Sequence, residues 1–394
     1  MTRGISEMFE NVPDFTFAEK DPATIRAEII HGYEAAYLAD TGQSITLAAG
    51  NKRRLYLLAQ AEREIQLRAL IDATGKNYFL KYAQGDLLDL YGSNYGERGA
   101  RLQESFATTT IQFTLEVATT SGSIVPAGTK VAAANGITFT TTASAIIPPG
   151  ELTGDAPAIS DVAGTSTNNL LPGQINQLVQ WDNSFVIRAS NITESDGGVD
   201  KEADEPYRFR LWLLPDSFSV AGPVNSYIFF ARSASQEIID LSVYSREELL
   251  GSDYAGQVGI VVLCKNGTLP TPEIIQKVQA ACDHKRRRPI AIQVIVESPQ
   301  VVSYDIKLTY YISSKDASSV ASIQKAVERA VADYALWQRS KIGRDINDDE
   351  LLARVKSAGA KRMTLVSPHF QALNAQQVGI ANKISVTFGA LEDE

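Results

Sequence analysis

Apolar and polar positions change their spacing several times along the chain. Asp21-Pro22-Ala23-Thr24 pairs a capping acid with a proline whose φ is preset, so a helix is expected from there to about Asp40. A second, longer helix is expected from Ser44 to about Ala73, with Ser44 as its cap and Gly75 as its stop. Along it Leu47, Leu55, Leu58, Ile65 and Ala69 fall near one face, while Lys52, Arg53, Arg54, Glu62, Arg63, Glu64 and Arg68 occupy much of the rest. A stripe this narrow suits packing against one or two other helices, from this chain or from partner chains. Shorter helices are expected around Tyr78–Ala83 and Asp86–Tyr91, before Gly92, Gly96 and Gly99 break the pattern.

The period then drops to two. Ile111, Phe113, Leu115 and Val117 alternate with polar residues, the mark of a half-buried strand. Phe106–Thr142 holds eleven Thr, with Glu116 and Lys130 as its only charges. Pro126-Ala127-Gly128, Asn135-Gly136 and Pro148-Pro149-Gly150 are turn signals, and Asn135-Gly136 before Ile137-Thr138-Phe139 reads as a hairpin. Beyond residue 196 helices and strands alternate. Helices are expected at about 201–214, 223–234, Thr271 to near Arg288, 316–338 and 347–358. Strands are expected at 237–244, 257–264, 290–297, 301–312, 361–366 and 383–388. The fold class is therefore α+β and multidomain, in four parts: N-terminal helices (1–104), a Thr-rich β domain (105–195), and two small α+β sandwich units (196–298 and 299–394).

Composition removes several classes of function. The chain has 394 residues and a net charge of −9, so it lacks the surplus of Lys and Arg that binding nucleic acid phosphates requires. Its 44% hydrophobic and 21% charged content is that of a globular protein, not a disordered one. The longest apolar run, Val258–Cys264, is far short of the ~20 residues of a membrane span. Met1–Glu10 has one Arg and no apolar block after it, so no secretory signal is expected. Cys264 and Cys282 are too few for a disulfide framework and are expected to be reduced, structural thiols in a cytoplasmic setting.

No catalytic constellation emerges. His31, His284 and His369 stand apart, without metal-ligand spacing or a neighbouring nucleophile motif. There is no phosphate-binding loop and no nucleophile elbow. The basic run Lys285-Arg286-Arg287-Arg288 ends a predicted helix, where cations favour the dipole. The most distinctive stretch runs from Asp196-Gly197-Gly198 through Asp200, Glu202, Asp204 and Glu205 to Arg208 and Arg210. Its alternating acids resemble a calcium loop, but Glu205 stands where that loop needs glycine and Leu211 where it needs a bidentate acid. A glycosidase-like acid pair is the other chemical reading. The structural reading explains more: a glycine turn, then acids at a helix N-terminus, with Asp204–Arg208 and Glu205–Arg208 spaced as helical ion pairs.

That stretch also carries a resemblance. Gly197, Gly198, Asp200, Glu202, Asp204, Glu205, Arg208 and Arg210 are similar to the signature string of the baseplate J-like proteins of contractile phage tails and tail-like particles. Four weaker elements accompany it in the expected order. They are Tyr82–Asp89; Val125-Pro126-Ala127-Gly128-Thr129-Lys130-Val131 with Gly136–Thr141; Gly164–Asn169 with Leu171–Ile175; and Arg286–Ile290. Gln236-Glu237-Ile238 departs from the Pro-Gly-Val that often stands there in the family, and residues 1–43 have no counterpart.

The resemblance implies a structural protein without enzyme activity, cofactor or metal. It would be a baseplate wedge subunit, two copies of which join a smaller tail protein through a helical bundle. Wedges ring the hub, contact sheath-initiating subunits, and relay the change that triggers sheath contraction. Its place would be the tail baseplate of a virion or particle, made and assembled in the bacterial host cytoplasm, with no nucleic acid or membrane partner. The helix at 44–73 is the candidate for the bundle, through Leu47, Arg54, Leu55, Leu58, Glu62 and Ile65. The alternatives are a receptor- or carbohydrate-binding tail protein built on the Thr-rich β region, where residues 106–142 offer only the aromatics Phe106, Phe113 and Phe139, mainly at strand-like positions, and a wall-degrading enzyme using the acids at 200–205.

Overall fold

In a computed structural model, which describes residues 8–180, 186–284, 287–289 and 291–393, the chain divides into two units between Trp212 and Leu213. The first begins as its sequence indicates. Asp21 accepts from the Thr24 amide, Pro22 fills the first turn, and helix α1 runs Pro22–Thr41. The next helix starts later than expected: α2 spans Lys52–Lys76, with Asn51 and not Ser44 as its cap. The cause is Leu47, buried outside any helix. Its amide donates to Glu34 at 2.8 Å and its carbonyl accepts from Arg54 at 2.7 Å, which holds this segment outside the helix. Gly75 does not stop α2 either. It lies within the last turn, where a Cβ would strike the Phe17 ring. Residues 78–83, expected as a helix, form successive turns before α3 at Gly85–Ser93.

α1 and α2 run antiparallel, since contacts pass from Tyr37–Arg53 through Arg26–Glu62 to Lys20–Asp72. Ile25 and Ala61 are fully buried.

The β region comprises β1 (Phe106–Leu115), β2 (Ser123–Val125), β3 (Lys130–Ala133), β4 (Thr138–Thr141), β5 (Ala145–Ile147), β6 (Thr153–Ala163), β7 (Ile175–Gln180) and β8 (Val186–Asn191). Six of these form one antiparallel sheet in the order β7-β3-β4-β6-β1-β8. Its two end strands, β7 and β8, lie in contact, so the sheet is barrel-like. The alternation in β1 sends Ile111, Phe113 and Leu115 inward against Val131, Phe139, Ala156, Ala158 and Ile175. The predicted hairpin forms between β3 and β4, with Gly136 at φ +84° in its turn. β2 and β5 pair separately as a two-stranded ladder. Helix α4, Asp204–Leu213, follows the barrel.

The second unit contains α5 (Val224–Ala234), β9 (Ile238–Ser245), α6 (Arg246–Leu250), β10 (Gln257–Cys264), α7 (Pro272–Cys282), β11 (Gln293–Glu297), β12 (Gln300–Ser313), α8 (Val320–Arg339), α9 (Asp348–Ser357), β13 (Arg362–Ser367) and β14 (Gln377–Glu392). Two three-stranded sheets result. In β11-β10-β9, α7 is the crossover between the parallel strands β10 and β11. In β13-β12-β14, β12 and β14 are parallel, and α8 and α9 cover the face of Ile306, Leu308 and Tyr310. The α+β reading therefore holds. α7 stops at Cys282, short of the expected Arg288. Lys285, Arg286 and Ile290 lie outside the described residues. Arg287 donates to the Ala281 carbonyl and covers the Phe230 ring, while Arg288 pairs with Asp283 at 2.5 Å. Both cysteines are free and buried, and burial pushes the Cys264 thiol up to about 11. Among the described residues no helix is long and apolar enough to cross a membrane.

Candidate functional site

The string at 197–210 forms a fastening between the N-terminal helices and the barrel. It starts as a turn. Gly197 sits at φ +92°, a conformation that L side chains avoid, and its carbonyl accepts from the Ser105 hydroxyl at 2.7 Å. Gly198 presses on the loop at 164–168. Its amide donates to Asn168 Oδ1 at 2.8 Å and its carbonyl accepts from Asn168 Nδ2 at 2.7 Å. A Cβ on Gly198 would collide with Gly164 O and Thr167 Oγ1. Asp200 turns back to the same loop and accepts from the Thr165 amide (2.9 Å) and hydroxyl (2.7 Å). The Gly164–Asn169 approach is thus the socket into which the turn fits.

The next residues reach the helices. Glu202 accepts from Arg210 Nε at 3.0 Å, from Arg210 Nη2 at 2.6 Å and from the Leu102 amide at 3.0 Å. Arg210 also donates to the carbonyls of Ala100 (2.6 Å) and Arg98 (3.3 Å). Both side chains are almost wholly removed from solvent, at 5% and 2% exposure. Asp204 accepts from the Gly85 amide at 2.8 Å and pairs with Arg101 at 2.9 Å. The Gly85 N–H, and then Arg101, hold its carboxyl below the usual carboxylate range. Arg208 pairs with Glu205 at 3.3 Å, and its Nη1 donates to the carbonyls of Leu80 and Ala83 (2.7 Å for Ala83). Those carbonyls are available because 78–83 is a chain of turns and not a helix. The expected Asp204–Arg208 pair is replaced by Asp204–Arg101, since Arg208 turns to those carbonyls.

Four residues that carry this site were not singled out by sequence. Arg101 joins Asp89 at 2.5 Å, Asp204, and the Glu202 carbonyl at 2.7 Å. Its guanidinium stacks 4.4 Å from the centroid of Tyr207, which Arg210 approaches at 5.3 Å. The Tyr207 hydroxyl donates to Gly99 O at 2.6 Å. Gly92 and Gly99 admit this tyrosine and each other's backbone; a Cβ on Gly92 would overlap Tyr207 Oη and Gly99 O. In the sequence the two glycines mark only a break in the helices, and a lone arginine beside them carries no spacing signal.

The acids proposed for chemistry are thus bound to amides, hydroxyls and guanidinium groups of the same chain. Among the described residues no cluster of His, Cys, Asp and Glu could hold a metal ion. Of the three aromatics within residues 106–142, Phe113 and Phe139 are core residues and Phe106 is partly exposed.

The six helix positions divide differently from the expected stripe. Leu47 is buried, Arg54 holds its carbonyl, and Glu62 pairs with Arg26 of α1. Leu58 and Ile65, one turn either side of buried Ala61, are half-buried. Leu55 is exposed. At about 100° per residue, Tyr56, Leu67 and Leu70 stand on the side of α2 opposite Ala61 and Asp72, and all three are exposed.

Three family models match this chain in consecutive order. They are the Baseplate J-like protein barrel domain over residues 110–198, the Baseplate J-like central domain over 219–298, and the Baseplate J-like protein C-terminal domain over 304–387. Together they account for more than half of the chain. Baseplate protein J of Escherichia phage P2 is 28% identical over 194 residues, which is 49% of this chain and 61% of that protein. A chain in the cryo-EM structure of the anti-feeding prophage (AFP) baseplate, 6-fold symmetrised, aligns with a TM-score of 0.55 at 11% identity. It covers 94% of this chain and 100% of that one, a likeness of fold.

Proposed function

We propose, from the premise that the chain belongs to the baseplate J-like family, that it is a structural wedge subunit of a contractile-tail baseplate. Its work would be mechanical. Two copies would join a smaller tail protein through a helical bundle, wedges would ring the hub, and bistable contacts would relay the change that triggers sheath contraction. It would be assembled in the bacterial host cytoplasm and reside in the baseplate of a virion or particle. The family string would serve as the fastening that makes helices and barrel move together, and the four-part division at 104, 195 and 298 is the working domain scheme.

The observation that carries the wedge reading is the second face of α2. Tyr56, Leu67 and Leu70 are apolar, exposed and turned away from α1, which is what a bundle helix offers to another chain. Enzyme action is disfavoured because Asp200, Glu202 and Asp204 spend their oxygens on internal donors. The test is quantitative mass spectrometry of purified tail particles, with the chain located by antibody labelling in electron micrographs. Several copies at the collar of the distal tail end are expected. Absence from particles, or labelling confined to fibre tips, overturns the reading. Leu67→Asp with Leu70→Asp should give folded chains that fail to enter particles, and normal entry would remove α2 from the bundle.

A further inference from the structure

The two sheets of the second unit end in β9, β11, β13 and β14. Two of these edges are guarded. On β11 the Gln279 side chain of α7 takes the place of a neighbouring strand: its Nε2 donates to the Val294 carbonyl at 2.7 Å and its Oε1 accepts from the Val296 amide at 3.0 Å. β13 is six residues long and is followed directly by Pro368. Short strands, prolines and covering side chains keep an open edge from pairing with another chain. β14 lacks these devices from Ile384 onward. Among the described residues it pairs only with β12, and no group outside β12 bonds its backbone between Ile384 and Leu391. Ile384–Leu391 holds no charge and no proline, the composition of a segment that adds strands readily. A row of edge amides and carbonyls is matched by a strand and not merely by an apolar surface.

The register of β14 selects the strand that fits. Ile384 and Leu391 lie beside Ile306 and Ile312, on the face covered by α8 and α9, yet they are 49% and 41% exposed. Thr387 and Glu392 lie beside Thr309 and Ser313 on the other face, which Lys383 shares as the residue before Ile384. Gly389 and Ala390 together stand against Tyr311, and this bulge is what brings Lys383 and Glu392 to one face. Measured along β12, Ile384 and Leu391 are equidistant from Thr387, and so are Lys383 and Glu392. A second copy laid antiparallel on this edge, with a two-fold axis at Thr387, therefore sets Ile384 against Leu391 and Lys383 against Glu392, each twice. Lys383 is the single charge of β14 before Glu392, and among the described residues it makes no ion pair. Arg362 holds Glu392 at 2.8 Å, and exposed Asp393 adds a second acid at that end. A parallel copy would align cation with cation and acid with acid. Val378 and Ile380, which pack against β9 and β10, lie outside the paired stretch.

We infer that Lys383–Glu392 is a pairing edge for a second copy of this chain, joined antiparallel about Thr387 so that two three-stranded sheets become one. The contact is additional to the bundle proposed for α2 and does not depend on the wedge reading, since the purified full chain tests it. All variants carry Leu67→Asp and Leu70→Asp, so that α2 contributes nothing to association. Residues directly opposed in an antiparallel pair have Cα atoms ~4.5–5.5 Å apart, within reach of a disulfide. Thr387→Cys should therefore yield covalent dimers with a mild thiol oxidant, the two native thiols being buried. Thr309→Cys, one strand further in on the same face, should not. Thr387→Lys and Thr387→Glu each place like charges at the axis. Each should weaken self-association in sedimentation at least tenfold while the chain melts as the parent does, and the two variants mixed should associate again. A parent that sediments as a monomer up to its solubility limit overturns the inference. So do equal cross-linking at 309 and 387, charged variants that associate as the parent does, or a mixture that stays monomeric.

Discussion

Truncating Glu202 to alanine isolates the centre of the fastening. The carboxylate accepts three hydrogen bonds, two from Arg210 and one from the Leu102 amide, in surroundings closed to water. Without it Arg210 keeps the carbonyls of Ala100 and Arg98 but loses its counter-charge. Removing one partner of such a buried pair costs ~3–5 kcal/mol, because the remaining charge is stranded in low dielectric. Three charge-assisted bonds at ~1.5–3 kcal/mol each give a larger sum, which water entering the vacated space reduces. For a unit of this size, ~2–4 °C per kcal/mol makes the expected fall in melting temperature ~6–20 °C. Scanning calorimetry of the full chain reads it, and amide exchange at Leu102 and along α4 locates it. The decisive comparison is Glu202→Leu with Arg210→Met, which replaces the pair by apolar side chains and should recover most of the loss. A Glu202→Ala chain that melts with the parent, or a double variant no more stable than the single one, refutes the reasoning.

Gly92→Ala should destabilise the first unit by ~1–3 kcal/mol through overpacking against Tyr207. The loss should shrink in a Tyr207→Phe background, as urea melts of the two single variants and the double will show. Acidification should release the segment at Phe17–Lys20 from α2. Lys20, and then the Phe17 amide, depress the Asp72 pKa, so the stabilisation is complete above the ordinary carboxylate value near ~4 and is lost as pH falls toward the folded value. Protection of the Phe17 amide, its exchange rate relative to the intrinsic rate at the same pH, should therefore fall in acid, and Asp72→Asn should show the low protection at every pH. Both thiols are buried and burial raises their pKa, so Ellman's reagent should find no reactive cysteine until denaturant is added. Prompt labelling of either thiol in the native chain would contradict their placement.

Local rules were legible where a residue acts on its neighbours. Asp21 with Pro22 starts α1, and Asn135-Gly136 makes the β3–β4 hairpin. The alternation of Ile111, Phe113 and Leu115 orients β1. The rules failed where a distant group competes. Ser44 and Leu47 read as the opening of a helix, yet Glu34 and Arg54 hold that segment outside it. Gly75 reads as a stop, but it accommodates the ring of Phe17, far upstream in sequence, in a helix that continues past it. The stripe containing Leu58 and Ile65 read as a surface for a helix of this chain or of another, and Glu62 beside it pairs with Arg26 of α1. Hydrophobic periodicity shows that a face will be covered and says nothing of what covers it. The exposed side of α2 is the one on which Tyr56, Leu67 and Leu70 are separated by charged residues, where no compact stripe was visible.

The same limit explains why the string at 197–210 was recognisable without being interpretable. Its acids and arginines have the chemical types of a metal or glycosidase site, and spacing alone cannot separate those readings. Partners separate them. Asp200 meets a loop amide, Asp204 meets the first amide of α3, and Arg208 and Arg210 meet carbonyls on turns that helices would have consumed. Each side chain satisfies a backbone group that the irregular stretches at 78–104 and 164–168 leave unpaired. The charges therefore compensate for broken secondary structure at the place where helices give way to barrel. A joint built this way resists gradual bending, because loss of any one bond strands a buried group.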